Sequence, residues 1–431
     1  MLVLLAVGLY VGRGPLIWIA ACGFLCLAIG TFRARRQYLA SLRSLRHLDD
    51  GALGGPPDGS WPGVTLIAPG RDEAQGIKAA VRSFLEQDYP DLCVVVVNDH
   101  STDGTRAILD GLLAGYRERL RGEASPETGR PEFRVVHDPP LQEGWLGKAN
   151  AVWRAVHDAP SDHEWLAIVD ADTRLSPSAL RAAIWHAEEA NADFLTCIPR
   201  VENGSLSEEL YLPQIWSAIV MGANEEDQNR PDTVPTVVGA FVLVRRRAYL
   251  ESGGHSVHSG VQPEDVLLGR TVRSWGGKLA LAWTSELIRI RHYNGYAHLR
   301  DAVVCKLRVQ YADTLLSLFA YVVMALLLDC VALPVAIAAA GLQLAAGAFS
   351  LELSALCAAA IVAYVFRVRS ITCVRPLASM RPAIPWLHPL GGLLRAWLCI
   401  LAIGGAVRGR ELRWRGRDVS NAHSKPVATD E

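Results

Sequence analysis

The chain lacks a charge excess: 43 Lys and Arg stand against 44 Asp and Glu in 431 residues. A nucleic-acid binder carries a basic surplus, so no nucleic-acid partner is expected. It also lacks any Cys-x-x-Cys. The nine cysteines (Cys22, Cys26, Cys93, Cys197, Cys305, Cys330, Cys357, Cys373 and Cys399) are scattered, several within apolar runs. That spacing argues against a zinc site or a disulfide framework and fits small hydrophobes in a reducing compartment. No internal repeat is evident, and the C-terminal apolar runs hold few ionisable residues, Asp329, Glu352 and Arg395. A transporter built from duplicated halves, or one with a charged path, calls for more of both.

What is present is apolar at both ends. Gly14 to Phe32 carries no charge, close to the ~20 residues that cross a bilayer. Arg33, Arg35, Arg36, Arg43 and Arg46 follow it. A secretory signal carries its charge first, so the run reads as an uncleaved anchor, and the positive-inside rule places the central domain in the cytoplasm. We expect a membrane anchor over 1–32, a basic and Gly/Pro-rich linker over 33–62, an α/β domain over 63–310, a membrane region over 311–407 and a basic tail over 408–431. As one helix, Thr314 to Ser350 would run roughly 56 Å, too long for a simple span. The basic stretches 367–381 and 408–417 both prefer the cytoplasm. One topology satisfies both: 314–350 crosses once, 353–366 returns and 386–407 is interfacial or re-entrant. Two crossings within 314–350 followed by two more is the competitor, and it puts 367–381 outside.

In the central domain, apolar runs alternate with helical patterns. Strands are expected at 64–68, 93–97, 133–137 and 165–169, with helices at 74–86, 105–120 and 149–158. Further strands are expected within 192–198, 237–244 and 278–283. Residues 121–132 read as a polar surface insertion. The alternation predicts a parallel sheet covered on both faces. Polar clusters then fall at strand carboxyl ends, the edge where open α/β sheets bind ligands. The first strand ends Ala68-Pro69-Gly70-Arg71-Asp72-Glu73. The second ends Asn98-Asp99-His100-Ser101-Thr102-Asp103-Gly104-Thr105. The fourth ends Asp170-Ala171-Asp172. Strand alternation sends Asp170 and Asp172 to one side, and two hard oxygens there suit Mg²⁺ or Mn²⁺. Asp-x-Asp is also common in surface turns. Ser101, Thr102 and Asp103 read first as helix-capping residues.

The order Pro69 to Glu73, Asn98 to Thr105, Gly144-Trp145-Leu146-Gly147-Lys148-Ala149-Asn150, Asp170 to Asp172, then Glu264-Asp265 resembles the family-2 glycosyltransferases. The resemblance runs from about residue 63 to 310. It is nearest to a membrane-bound branch that includes hopene-associated and carotenoid-type enzymes, which the apolar ends and Trp414-Arg415-Gly416-Arg417 also fit. It implies a GT-A fold, a mixed and mostly parallel sheet, and a nucleotide-diphosphate sugar donor. By motif, Asp99 would contact the base, and Pro69, Arg71 and Glu73 would border the nucleoside. Asp170 would sit near the ribose, Asp172 would ligate Mg²⁺ or Mn²⁺, and Lys148 would face the diphosphate unless it is a solvated loop lysine. Where the family often has two acids, this chain has Asn98-Asp99, and Asn98 receives no charged role.

The second half of the site is expected to take the acceptor. Gly239 and Ala240 would let backbone approach a sugar or acceptor. At least two of Arg245, Arg246 and Arg247 read as a solvated strand end. The resemblance makes Asp265 the catalytic base, with Glu264 beside it, and a carboxylate suits removal of a hydroxyl proton. Acids at a helix start also stabilise the helix, and both roles are compatible. His255 and His258 read as structural or solvated. Processive synthases carry Gln-x-x-Arg-Trp after the base, whereas here Cys305-Lys306-Leu307-Arg308-Val309 keeps only the arginine. Transfer of one or a few sugars to a lipid or polyprenoid hydroxyl at the membrane is expected. A processive polysaccharide synthase, a non-catalytic nucleotide-sugar binder and a transporter with a regulatory domain are the alternatives.

Overall fold

Val64–Gly70 (β2), Leu92–Asn98 (β3) and Trp165–Val169 (β5) are buried at every position. A half-exposed antiparallel strand would alternate, so unbroken burial marks a sheet covered on both faces. The computed structural model describes residues 14–51, 55, 60–122, 130–158, 162–310, 315–347, 349–408, 413–414 and 417–418. Most of residues 52–59 of the expected linker, most of the 121–132 insertion and most of the basic tail lie outside these residues.

In chain order the first half comprises α1 (Gly14–Ser44), β1 (Arg46–His47), β2, α2 (Ile77–Leu85), β3, α3 (Thr105–Gly122), β4 (Glu132–His137), α4 (Gly147–Asp158), β5, β6 (Thr173–Leu175) and α5 (Ala179–Glu189). Then come β7 (Phe194–Ile198), β8 (Arg200–Val201), α6 (Leu206–Gly222), α7 (Glu225–Gln228), β9 (Phe241–Arg245), α8 (Arg246–Glu251), α9 (Glu264–Trp275), β10 (Leu279–Trp283) and β11 (Ile288–Ile290). The chain continues through α10 (Tyr296–Gln310), α11 (Leu315–Asp329), α12 (Ala332–Ala345), α13 (Leu351–Thr372), α14 (His388–Val407), β12 (Arg413–Trp414) and β13 (Arg417–Asp418).

Contacts divide the chain into two units. One comprises residues 42–202, 222–292 and 413–431. Its main sheet has eight strands in the order β1-β10-β7-β9-β5-β2-β3-β4. Every pairing is parallel except those of β9 with β5 and β7. This is the mixed, mostly parallel α/β sheet expected of a GT-A fold. A smaller sheet, β6-β11-β8, lies beyond the end of β5. One core cluster joins Ile77, Val81 and Phe84 of α2 to Leu66, Val94 and Trp165 of the sheet and to Leu180 and Ile184 of α5. A second joins Val152 and Val156 of α4 to Ile67, Val95, Leu166 and Val244. Phe84 is fully buried, so Phe84→Ala costs roughly 3–5 kcal/mol. Asp49, just after β1, closes the other edge of the unit. Its carboxylate accepts from Ser285 N at 3.0 Å, Ser285 Oγ at 2.6 Å, Glu286 N at 3.1 Å and the Thr284 hydroxyl.

The other unit comprises residues 1–41, 203–221 and 293–412. Residues 203–221 and 293–310, inside the stretch expected to be the catalytic domain, therefore cluster with the apolar helices. Ile17, Ala21, Phe24 and Ala28 of α1 pack on Val335 and Ala339 of α12 and on Leu356, Ala360 and Ala363 of α13. Among the described residues, three helices are long and apolar enough to cross a membrane: Pro15–Ser44, Leu351–Thr372 and Ile384–Val407. Leu316–Asp329 and Ala332–Ala345 form a pair bent by 46° that qualifies only jointly.

Two expectations change here. Helix α1 does not stop at Phe32; Arg33 to Ser44 continue it, because Arg, Gln, Leu and Ala are all good helix formers. The 386–407 segment, expected to be interfacial or re-entrant, is a helix of spanning length. Pro389 falls in the first turn of α14, where a missing N–H costs nothing. Arg395 is buried against Asp329 of α11. The competing count of two crossings within 314–350 meets helices of 15 and 14 residues, each only roughly 22 Å long.

Candidate active site

The carboxyl ends of β3, β2 and β5 stand side by side. Asp99 N donates to Gly70 O at 2.8 Å. A Cβ added to Gly70 would lie 2.8 Å from the Ala171 Cβ, so only glycine lets β2 end against the turn after β5. In that turn Asp170 N donates to Ala240 O at 3.2 Å and Thr173 N to Asp170 O at 3.0 Å. Asp170 and Asp172 thus sit in a turn between β5 and β6 rather than on a strand extension. Both are half-buried while Ala171 is buried.

The loops after β2 and β3 hold each other. Asp72, at a φ of 53°, accepts from Thr102 N at 2.6 Å and donates its own N–H to Ser101 Oγ at 2.9 Å. Glu73 N donates to Thr105 Oγ1 at 2.9 Å, and Ala74 N to Asp103 Oδ2 at 3.0 Å. Asp103 also accepts from Thr105 N at the start of α3. Burial opposes ionisation of Asp103, but the hydrogen bonds from Thr105 and Ala74 hold its carboxyl below the usual range. Ser101, Thr102 and Asp103 therefore cap and clamp. Asn98 is buried and ties β3 to β4 through His137 at 3.0 Å. Asp99 is 4% exposed, with His100 Nδ1 at 3.0 Å from its Oδ1. Pro69 lies within β2 opposite Val97. Arg71 reaches its neighbour Asp72 at 3.7 Å.

Charges concentrate where α4 and α9 begin. Lys148 Nζ lies 2.7 Å from Asp170 Oδ1 and 3.2 Å from Glu264 Oε1. Asp265 is the next residue, its Oδ1 accepting from Val266 N at 2.8 Å. A Cβ built on Gly239 would lie 2.5 Å from Asp265 Oδ2. Gly239 thus makes room for the Asp265 carboxylate. Burial pushes the Asp265 carboxyl up to about 6, and the neighbouring Glu264 charge adds to the rise. Burial is the strongest single influence on Glu264 and acts in the same sense, but the Lys148 ammonium, its hydrogen bond and a backbone hydrogen bond together hold Glu264 low. Burial disfavours the Lys148 charge, yet Asp170, Glu264 and Asp265 together raise its pKa well above normal. The structure thus brings Lys148, Asp170, Glu264, Asp265 and Gly239 together, with Asp99 and Asp172 at adjoining strand ends.

Among the described residues no group of three or more His, Cys, Asp or Glu could hold a metal. Asp170 is engaged by Lys148, and Asp172 lies two residues on in the same turn. A hard ion that takes one protein carboxylate and fills its shell with diphosphate oxygens and water fits that donor set.

Other expectations resolve into structure. Arg245 is no solvated end: it pairs with Glu164, with Glu188 at 2.7 Å, and lies 4.4 Å over the Trp165 ring. Arg246 donates to the carbonyls of His163 and Val156. Only Arg247 is largely in solvent, with Glu251 at 3.0 Å. His255 is buried with Tyr249 Oη at 2.9 Å, and burial lowers it to about 4, so it is neutral and structural. Sequence reasoning missed Asp72, for which the preference of Asp for positive φ was the available signal, and Gly260, described below.

The model of the family Glycosyl transferase family 2 matches residues 65–253. The match contains every strand-end cluster through Asp172, and Gly239, and ends before Glu264. A comparison with curated proteins returned no match. Among solved structures, a mannosyltransferase from Pyrobaculum calidifontis in complex with GDP-Man and Mn²⁺ is 18% identical with a TM-score of 0.46, covering 90% of this chain and 100% of its own. Residues 1–349 of S. aureus TarS in complex with UDP-GlcNAc are 17% identical with a TM-score of 0.36, covering 81% of this chain and 93% of that one. Likenesses of this strength transfer neither substrate nor residue role. The family match, on the sheet and strand-end geometry already described, makes residues 65–253 a Glycosyl transferase family 2 domain and the protein a glycosyltransferase.

Proposed function

We propose that the protein transfers a sugar from a nucleotide-diphosphate donor to a lipid or polyprenoid hydroxyl, with inversion at the anomeric carbon, on the cytoplasmic face of a membrane that the chain crosses several times. The single observation behind this reading is the Asp265 carboxylate. It is seated against Gly239, beside the Lys148, Asp170 and Glu264 cluster and at the sheet edge that carries Asp99 and Asp172. A carboxyl raised to about 6 is ionised near neutral pH and more basic than an ordinary aspartate, which suits a general base.

In the proposed step Asp265 takes the proton of the acceptor hydroxyl. The oxygen forms a bond to the anomeric carbon from the face opposite the nucleotide. The bond from that carbon to the diphosphate oxygen breaks, and the nucleoside diphosphate leaves with the electron pair. Asp172 would hold Mg²⁺ or Mn²⁺, which would supply Lewis-acid stabilisation of charge on the departing diphosphate. Asp99 accepts from the base, while Pro69, Arg71 and Glu73 border the nucleoside. Asp170 lies near the ribose, fixed by Lys148, which adds positive charge on the diphosphate side. Glu264 keeps Lys148 in place and raises the basicity of Asp265.

The lipid acceptor rests on the three spanning-length helices and on the missing Gln-x-x-Arg-Trp motif. Arg308, the residue that corresponds to the arginine of that motif, packs against Gly405 of α14. An acceptor of the hopanoid or carotenoid kind fits the branch that the sequence resembles. Lipid extracts from cells carrying the wild-type chain or Asp265→Asn, compared by mass spectrometry, test the proposal. A glycolipid present only with the wild-type chain supports it and gives the sugar mass. A product that lengthens with time points to processive synthesis. Identical lipid and polymer profiles in the two strains would refute it.

A further inference from the structure

The motif Gly144 to Asn150 does more than supply Lys148. Its backbone is fastened to the loop that precedes Glu264. Leu146 N donates to Ser259 O at 2.8 Å. A Cβ added to Gly260 would lie 2.5 Å from Gly144 O, nearly an ångström inside ordinary contact, and that obstacle is backbone. Gly144 itself has a φ of 78°, which an L side chain rarely adopts. Asn150 is fully buried in α4; its Nδ2 donates to Pro140 O at 3.1 Å and its Oδ1 accepts from Gln142 N at 3.4 Å. The loop between β4 and α4 is thus pinned at both ends, to α4 through Asn150 and to the 252–263 loop through Leu146 and Gly144.

The two fastened loops run directly into the two helix starts that carry the charges, Lys148 on α4 and Glu264-Asp265 on α9. We propose that Gly260 and Gly144 are positioning residues, and that this backbone clasp sets Lys148 between Asp170 and Glu264 and so holds Asp265 where it works as the base. Gly260 has no side chain with which to touch substrate, and its effect passes through Lys148. The proposal rests on the glycosyl-transfer reading for its kinetic consequence, but the positioning itself is measurable without turnover. A displacement of about 1 Å remote from the reacting atoms lowers catalysis by up to ~100-fold.

The test uses the full chain in detergent or lipid. In Gly260→Ala, kcat should fall about 10- to 100-fold while KM for the donor stays within about threefold and the thermal midpoint holds. The double variant with Lys148→Met should be no slower than Lys148→Met alone, because both changes break one link. Independently of turnover, acetylation of Lys148 by acetic anhydride, followed by mass spectrometry, should quicken several-fold in Gly260→Ala. Gly144→Ala, strained but unobstructed, is the milder second variant should Gly260→Ala fold poorly, and it should show the same pattern at smaller size. Gly111→Ala on the open face of α3 is the control and should change nothing. Additive losses in the double variant, or unchanged Lys148 labelling in both glycine variants, would overturn the clasp. A wild-type chain that labels as expected but transfers no sugar would instead overturn the glycosyl-transfer reading and leave the clasp standing.

Discussion

Each unit holds a charge cluster, and the two clusters are balanced in opposite ways. In the membrane-type unit one acid has a surplus of cations. Asp329 is fully buried; Arg367 Nε lies 2.7 Å from its Oδ1, Arg395 pairs with its Oδ2, and His388 stands 3.5 Å away. Arg367 also donates to Gln214 of α6 at 3.2 Å, so the knot joins α6, α11, α13 and α14. In the catalytic unit one cation serves a surplus of acids. Lys148 faces Asp170, Glu264 and Asp265, with Asp172 two residues from Asp170. A carboxylate held by two guanidiniums is saturated and has nothing to offer a ligand. Carboxylates that share one ammonium at a partly open strand end retain basicity and attraction for a cation. The stoichiometry of clustered charge, more than its presence, separates a structural knot from a working site.

The largest effect that sharpens this contrast is on turnover. Asp172→Ala should lower sugar transfer about 10²- to 10³-fold and abolish its response to added Mg²⁺ or Mn²⁺, as loss of transition-state electrostatics does. Undiminished, metal-responsive turnover would remove Asp172 from the role. Next comes stability: Asp329→Ala strands the buried Arg395 and half-buried Arg367 guanidiniums and should cost about 3–5 kcal/mol, read as a lower thermal midpoint in detergent. An unchanged midpoint would mean that the knot is not structural. A smaller effect is on pH dependence. Because the base must be ionised, kcat/KM should fall on the acid side of about 6, by up to tenfold per pH unit. Glu264→Gln removes a like charge and should move that limb to lower pH; movement to higher pH would show that Glu264 acts mainly by holding Lys148. Smallest is the surface pair. Arg247→Ala should change stability by no more than about 0.5 kcal/mol, whereas Arg245→Ala, which loses two acids and the Trp165 face, should cost about 1–2 kcal/mol.

The same contrast explains what the sequence disclosed. Parallel strands buried on both faces read as unbroken apolar runs, so β2, β3, β4 and β5 were legible to within two residues. The helix expected from Ala74 begins at Ile77 because Ala74 N is taken by Asp103 and residues 74–76 form a turn, with Gly76 N donating to Glu73 O. The strand-end clusters were legible because their polar residues interrupt those runs. Pairing across long separations was not. Nothing local says that Arg245 lies on Trp165, that Arg395 meets Asp329, or that Gly239 is small to admit Asp265. Each joins elements brought together only by the sheet order or by helix packing. The charged residues after Phe32 looked like a boundary because charge changes there; the backbone ignores that change, and α1 runs on to Ser44.

The central claim is that Asp265 is the base of a nucleotide-sugar site that also contains Asp99, Lys148 and Asp170. Purified wild-type chain and Asp265→Asn, compared for donor affinity and for nucleoside diphosphate release with a saturating lipid acceptor, test it most directly. The account predicts donor affinity within about threefold and turnover lowered about 10³-fold, within the range of general-base contributions. Turnover of Asp265→Asn equal to wild type would contradict it.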